Sequence, residues 1–199
     1  LCLVLSLFYF TAVGTGLGEV VVAANAILLQ LLFFLSYGLD GFAHAVEGLA
    51  GSSRGAGRRD HFRAAVRTST VCALIVALGY AAVYALFGGV FIGWMTDLPE
   101  VRELAATYLP WMLLAPIIAV WSFQLDGVFI GTTHTVEMRN GMLIAAGAFW
   151  GTTELLVPEL GNHGLWLAFM GFFALRALLL ALWLPRIDRS IAPVGQTHM

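Results

Sequence analysis

Lysine is absent from the 199 residues, so all ten basic side chains are arginines. Charge of either sign is scarce: 11% of residues are Asp, Glu, Lys or Arg, against roughly 25% in soluble domains. So little charge cannot cover the surface of a water-soluble protein of this size, whereas a bilayer removes that requirement. No basic cluster is interleaved with aromatics, so a nucleic-acid interface has no support, and the net charge of −2 argues neither for nor against an anionic partner. The two cysteines, Cys2 and Cys72, fall in apolar runs; they read as small apolar packing groups, not a disulfide framework. Nucleophile elbows, Walker loops and GxGxxG fingerprints are missing. His44-Ala-Val-Glu47 is not HExxH, and Ser53-Arg-Gly-Ala-Gly57 lacks the lysine of a phosphate loop. The opening LCLVLSLFYFTAVGTGL has no basic n-region and no small-residue cleavage site. It reads as a helix entered partway, not a signal peptide, so a missing N-terminal portion is expected.

Apolar sequence dominates instead: 60% of residues are hydrophobic and the mean hydropathy is +0.87. A spanning helix needs about 20 mostly apolar residues. Six segments qualify or nearly do: 1–17, 20–51, 64–92, 104–131, 140–156 and 164–184. Long unbroken runs argue against a β-barrel, whose strands alternate over about ten residues. The expectation is an all-α polytopic membrane protein, a bundle of six transmembrane helices occupying 1–185, with a polar, disordered cytoplasmic tail at 186–199. The polar breaks fall at 52–60, 96–101 and 157–164. Pro110 and Pro116 lie inside the fourth segment and should kink or loosen it.

Arg54, Arg58, Arg59, Arg63, Arg67, Arg139, Arg186 and Arg189 lie at alternate connections and share one side, while Arg102 lies on the other. The positive-inside rule makes the arginine-rich side cytoplasmic, with both ends of the chain there and the plasma (inner) membrane as the site. Gly38, Gly41, Ala45, Gly48 and Gly51 should permit close helix approach. Trp94, Trp111, Trp150, Trp166 and Trp183 stand near predicted ends, as interfacial anchors do.

Ionisable groups within spans are costly and usually face a bundle interior or wet cavity. Asp40, His44 and Glu47 sit four and seven residues apart, on one face of the second helix. Asp126 lies on the fourth helix with Ser122 one turn earlier and Gln124 nearby; Glu154 ends the fifth and Arg176 lies in the sixth. Asp40 is either a proton- or cation-coupling group or a structural hydrogen-bonding one. His44 and Glu47 either complete that stripe or reach interfacial water, and Asp126 either lines a pathway or serves as a helix cap or cytoplasmic contact. Arg176 is expected to be a structural partner, with Glu154 as a candidate for the pair. No catalytic, cofactor or metal residue is assigned. A metal enzyme built on Asp40, His44 and Glu47 would lack a Cys or second His ligand.

The stretch LDGFAHAVEGLAGSSRGAGRRD (Leu39–Asp60) resembles the end of the eighth helix of MATE exporters, in their DinF-like branch, and GEVVVAANAILLQLLFFLSYGLDGF resembles the body of that helix. FQLDGVFIGTTHTVEMRN (Phe123–Asn140) is similar to the tenth helix and its following loop. The resemblance implies the second lobe of a twelve-helix fold, beginning at the seventh helix, whose missing N-terminal lobe is its partner. It implies export of small cationic or amphipathic substrates against H⁺ or Na⁺, with no cofactor beyond the coupling ion and membrane lipid as surroundings. An acid on the first helix, used in many relatives, would lie in the absent lobe. Relatives in another branch use acids on the seventh and tenth helices. Asp126 falls on the tenth-helix match, but 1–17 contains no acid, and Glu19 follows it in the outer loop. The rivals are a flippase for lipid-linked precursors in the same superfamily and a membrane-embedded enzyme using Asp40, His44 and Glu47.

Overall fold

A computed structural model describes residues 2–191. Six helices follow one another: α1 (Cys2–Gly16), α2 (Glu19–Gly55), α3 (Arg59–Met95), α4 (Pro99–Gly131), α5 (Thr135–Leu160) and α6 (Asn162–Ser190). Helices are the natural solution for such a sequence, because in hydrocarbon every backbone N–H and C=O must be satisfied within the segment. Five of them are long and apolar enough to cross a membrane, whereas α1 has 15 residues, about 22 Å at 1.5 Å per residue.

Helices run further at their ends than hydropathy predicts, because polar residues continue a helix once it leaves the apolar layer. The expected loop at 157–164 shrinks to Gly161, whose φ of 54° turns the chain between α5 and α6. Pro158 and Pro185 are carried inside α5 and α6. The expected tail from 186 is likewise corrected in its first part. α6 continues to Ser190, held by Asp188 on the start of α3 and by buried Ile187 and Ile191. The rest of that expected tail lies outside the described residues. Pro110 and Pro116 do not break α4, which runs as one helix.

α4 is the axial element, packed on α2, α3 and α6, while α5 pairs with α6, and α1 rests on α2, α5 and α6. The main core joins Phe10, Phe149, Trp166, Phe169, Phe172 and Phe173 to the leucines of α2. A smaller apolar layer around Val46, Phe62, Phe129 and Ile187 closes one end, and Ala24, Ile92 and Val101 close the other. Outward faces are apolar too. Val71, Ile75, Leu78, Leu86, Phe87 and Trp94 of α3 are all exposed, the pattern of a surface solvated by lipid.

The arginine-rich ends meet in space. Arg54 Nη1 of α2 donates to Thr133 Oγ1 (2.7 Å) in the α4–α5 turn, where Thr133 has φ 62°. Arg59 and Arg63 of α3 donate to Asp188 of α6 at 2.6–2.8 Å. Alternate connections therefore share one side, as the arginine pattern requires.

The small-residue prediction is corrected in detail. At Gly41 and Gly48 a Cβ would meet nothing within 4 Å. The close approach is made by Gly127 and Gly131 of α4, whose missing Cβ atoms leave room for the Ala43 and Glu47 carbonyls, and by Gly51 facing the Gly131 carbonyl. Gly127-Val-Phe-Ile-Gly131 is a GxxxG spacing, which brings two backbones together. Gly38 makes room for the Tyr80 ring. Trp166 is also corrected: it is fully buried, not interfacial, and its indole N–H donates to Asn25 Oδ1 at 2.9 Å.

Candidate functional site

An ion pair lies buried in the bundle. Arg176 of α6 meets Asp126 of α4, and their side chains are only 5% and 13% exposed. One turn away, Ser122 Oγ donates to the Phe173 carbonyl at 2.7 Å and fixes the register of α4 on α6. On the other flank of α4, Gln124 donates to Ser69 Oγ of α3. Ser69 in turn donates to the Phe42 carbonyl of α2 at 3.4 Å. Four helices thus meet at this level through polar groups.

The valences are not filled. Asp126 Oδ1, Arg176 Nε and Gln124 Oε1 are buried without a hydrogen-bond partner among the described residues. Buried polar atoms are normally paired with protein or water. Removing one member of a buried pair leaves an uncompensated charge, so Asp126 and Arg176 depend on each other.

Asp40 of α2 is half-buried and has no hydrogen bond or ion pair among the described residues. It lies within electrostatic reach of His44 and Arg176. Arg176 is thus paired to one acid and within electrostatic reach of a second on a different helix. His44 and Glu47 pair with each other toward the surface. His44 Nδ1 lies 3.4 Å from Glu47 Oε2, with the side chains 78% and 36% exposed. Asp40 does not gather with them as a metal-holding group, and no set of three His, Cys, Asp or Glu residues does so among the described residues.

Two assignments are corrected. Asp126 does not cap α4; it lies five residues before the helix end and pairs across to α6. Arg176 takes Asp126 and not Glu154, whose Oε1 accepts from the Tyr9 hydroxyl at 2.6 Å. Sequence reasoning also missed the buried triad in which Asn25 and Asn162 exchange amide bonds (2.7 and 2.9 Å) and Trp166 donates to Asn25. Isolated amides in apolar runs carry no period that would announce a partner 137 residues away.

Relatives of the chain agree with this architecture. Residues 1–149 match the MatE family model. The chain is 47% identical over 178 residues to the DNA damage-inducible protein F of Escherichia coli, covering 87% of this chain and 38% of that protein. It is 31% identical over 130 residues to a probable multidrug resistance protein NorM of Idiomarina loihiensis, covering 52% of this chain and 27% of that one. The chain thus spans well under half the length of these curated relatives. Among solved structures, a eukaryotic MATE transporter superposes with TM-score 0.74 at 20% identity over 85% of this chain and 40% of its own. A MOP superfamily transporter from Pyrococcus furiosus superposes with TM-score 0.76 at 15% identity over 98% of this chain and 44% of its own.

Proposed function

The chain belongs to the MatE family of membrane transporters, and from that premise we propose that it supplies one six-helix lobe of a two-lobe exporter. The lobe works with an N-terminal lobe to expel small cationic or amphipathic xenobiotics in exchange for H⁺ or Na⁺. Its arginine-rich side faces the cytoplasm, in the plasma (inner) membrane. The share of relatives covered, 38% and 27%, supports a half-transporter reading.

The observation that carries the coupling role is the Asp126–Arg176 pair with the unpaired Asp40 alongside. Arginine cannot be deprotonated at ordinary pH, so it acts as a resident counter-cation for Asp126. Asp40 is then the acid left over, free to exchange a proton or sodium ion. With Asp40 ionised, Arg176 is drawn by two carboxylates on different helices. With Asp40 neutralised, only Asp126 remains. Ion uptake at Asp40 therefore changes the electrostatic link among α2, α4 and α6. In an alternating-access protein, a change of that kind biases one packing of the helices over another.

The test is Asp40→Asn in the full-length protein, which keeps shape and hydrogen-bonding capacity but removes titration. The variant is expected to reach the membrane at the normal level and to lose ion-driven efflux of a cationic dye. Normal efflux rejects the coupling role; loss of folded protein assigns Asp40 a structural one.

A further inference from the structure

The site that the transport reading leaves unused lies at the arginine-rich end, between the start of α3 and the end of α6. A groove of about 330 Å³ opens there. Its walls are apolar, formed by Phe62 and Val66 from α3 and by Leu184 and Pro185 from α6. Arg63, Arg67 and Asp188 stand along its rim. Arg59, Arg63 and Arg67 follow at four-residue steps, so they rise along one stripe of α3.

The three arginines do different things. Arg59 and Arg63 are both spent on Asp188, and the two guanidiniums hold its carboxyl well below the usual carboxylate range. Arg67 is exposed and has neither hydrogen bond nor ion pair among the described residues. It sits eight residues into α3, next to the lipid-facing surface that begins at exposed Val71 and Ile75. Charge in the two segments that form the groove is unbalanced among the described residues: 58–67 and 184–191 hold Arg58, Arg59, Arg63, Arg67, Arg186 and Arg189 against Asp60 and Asp188, six against two. Arg186 lies 4.3 Å over the half-exposed Trp183 ring, an aromatic position typical of headgroup level.

We propose that this groove binds an anionic phospholipid, with the phosphate on Arg67 and an acyl chain along Val66, Leu184 and Pro185. A guanidinium at the margin of the hydrocarbon needs an anion at its own depth, and a lipid phosphate is the anion the membrane offers there. The apolar floor favours a lipid over a free phosphate, because an inorganic ion would leave that floor uncovered. Asp188 does not repel the phosphate, since two guanidiniums already neutralise it. Bound in this way, the lipid seals α3 to α6 beside the Asp188 bridge.

The protein, purified in a non-ionic detergent, is titrated with phosphatidylglycerol, phosphatidylcholine and inorganic phosphate. Melting temperature and native mass spectrometry are the readouts. Phosphatidylglycerol is expected to bind and raise the melting temperature, with phosphatidylcholine and phosphate far weaker. One arginine near an anionic surface corresponds to about fivefold in affinity. Arg67→Gln should therefore weaken phosphatidylglycerol binding about fivefold, and Leu184→Gln should weaken it through the floor. Arg139→Gln, an equal charge change at an exposed arginine that does not line the groove, should leave it within twofold. Four results each overturn the proposal: equal binding of the two lipids, phosphate as effective as phosphatidylglycerol, less than twofold change in Arg67→Gln, or an equal loss in Arg139→Gln.

Discussion

Arg176→Met and Asp126→Asn probe the buried pair from its two ends, and the outcome is set by what each leaves behind. The side chains are 5% and 13% exposed, so neither charge can turn to water when its partner goes. Breaking a buried pair from one side costs about 3–5 kcal/mol, because the remaining charge stays uncompensated. Replacing both members together removes both charges, and such replacements are often neutral or stabilising. The double variant Asp126→Asn/Arg176→Met should therefore be more stable than either single one, with a coupling energy of about 2 kcal/mol or more. The orphaned Asp126 Oδ1 and Arg176 Nε sharpen this expectation. Asp126 has no second basic partner among the described residues in Arg176→Met, and Arg176 keeps only the longer-range attraction of Asp40 in Asp126→Asn. Reversible unfolding in mixed micelles, read by tryptophan fluorescence, supplies the four corners of the cycle. Additive effects of the single changes, within about 0.5 kcal/mol, would refute the pairing and with it the account of Arg176 as resident counter-cation.

The α2–α4 seam gives a paired contrast. Gly127→Ala forces a Cβ onto the Ala43 carbonyl and should cost about 1–3 kcal/mol, while Gly41→Ala and Gly48→Ala, which meet open space, should be neutral or stabilising by up to about 1 kcal/mol. The same micelle unfolding measures all three, and equal effects would reject the seam. For topology, with Cys2 and Cys72 replaced, a cysteine at Gly55 should resist an impermeant thiol reagent on intact cells and one at Glu100 should react; the reverse labelling overturns the orientation. For Asp188, whose folded pKa lies below its ordinary 3.8, the stabilisation is fully present above about pH 4. It is lost as the pH falls below that toward the folded value. The melting-temperature gap between wild type and Asp188→Asn should be flat from pH 5 to 7 and shrink only in stronger acid; a gap that instead closes between pH 5 and 7 contradicts the bridge. Reconstituted without a second lobe, the chain should move no ion-coupled drug into vesicles, and robust uptake would sink the half-transporter reading.

How much was legible in the sequence depends on the range of each interaction. Helix number and order follow from runs of apolar residues, which are local, so the six segments appear with their centres in place. Their ends do not, because the helices run on through 135–139, 157–160 and 185–190, where charged residues, Thr135, Pro158 and Pro185 make hydropathy score a loop. The arginine pattern reports a side of the membrane, and the contacts of Arg54, Arg59 and Arg63 across that side agree with it. The site was legible only as an inventory. Asp40, Asp126 and Arg176 each stand out as a charge in an apolar run, but nothing local says that residues fifty apart on α4 and α6 meet. The same limit misassigned Glu154 as the partner of Arg176. Offsets of four and seven residues put His44 and Glu47 on one face with Asp40, as a stripe that either serves the site or reaches interfacial water. A helix face is a sector, however, and its far end can turn outward where the neighbouring helix falls away.

The seam and the site are linked by geometry. Gly127 follows Asp126 directly, and the backbone approach at Ala43 occurs one turn beyond Asp40 on α2. The glycine that allows the two helices to touch therefore also bears on how near Asp40 comes to Arg176, the arginine buried within α6. A side chain at position 127 would drive α2 and α4 apart and move Asp40 away from Arg176, with no change to any charged residue. This couples the packing of the lobe to its electrostatics: any movement that opens the α2–α4 seam weakens the hold of Asp40 on Arg176 and leaves Asp126 as its only partner. It follows that Gly127→Ala should reduce ion-driven efflux in the full-length protein more than its stability loss accounts for. Arg67→Gln, at the membrane margin, should leave the ion dependence of efflux intact. If Gly127→Ala keeps full coupling at a temperature where the protein remains folded, the seam serves packing alone, and the charges of α2, α4 and α6 are set independently of it.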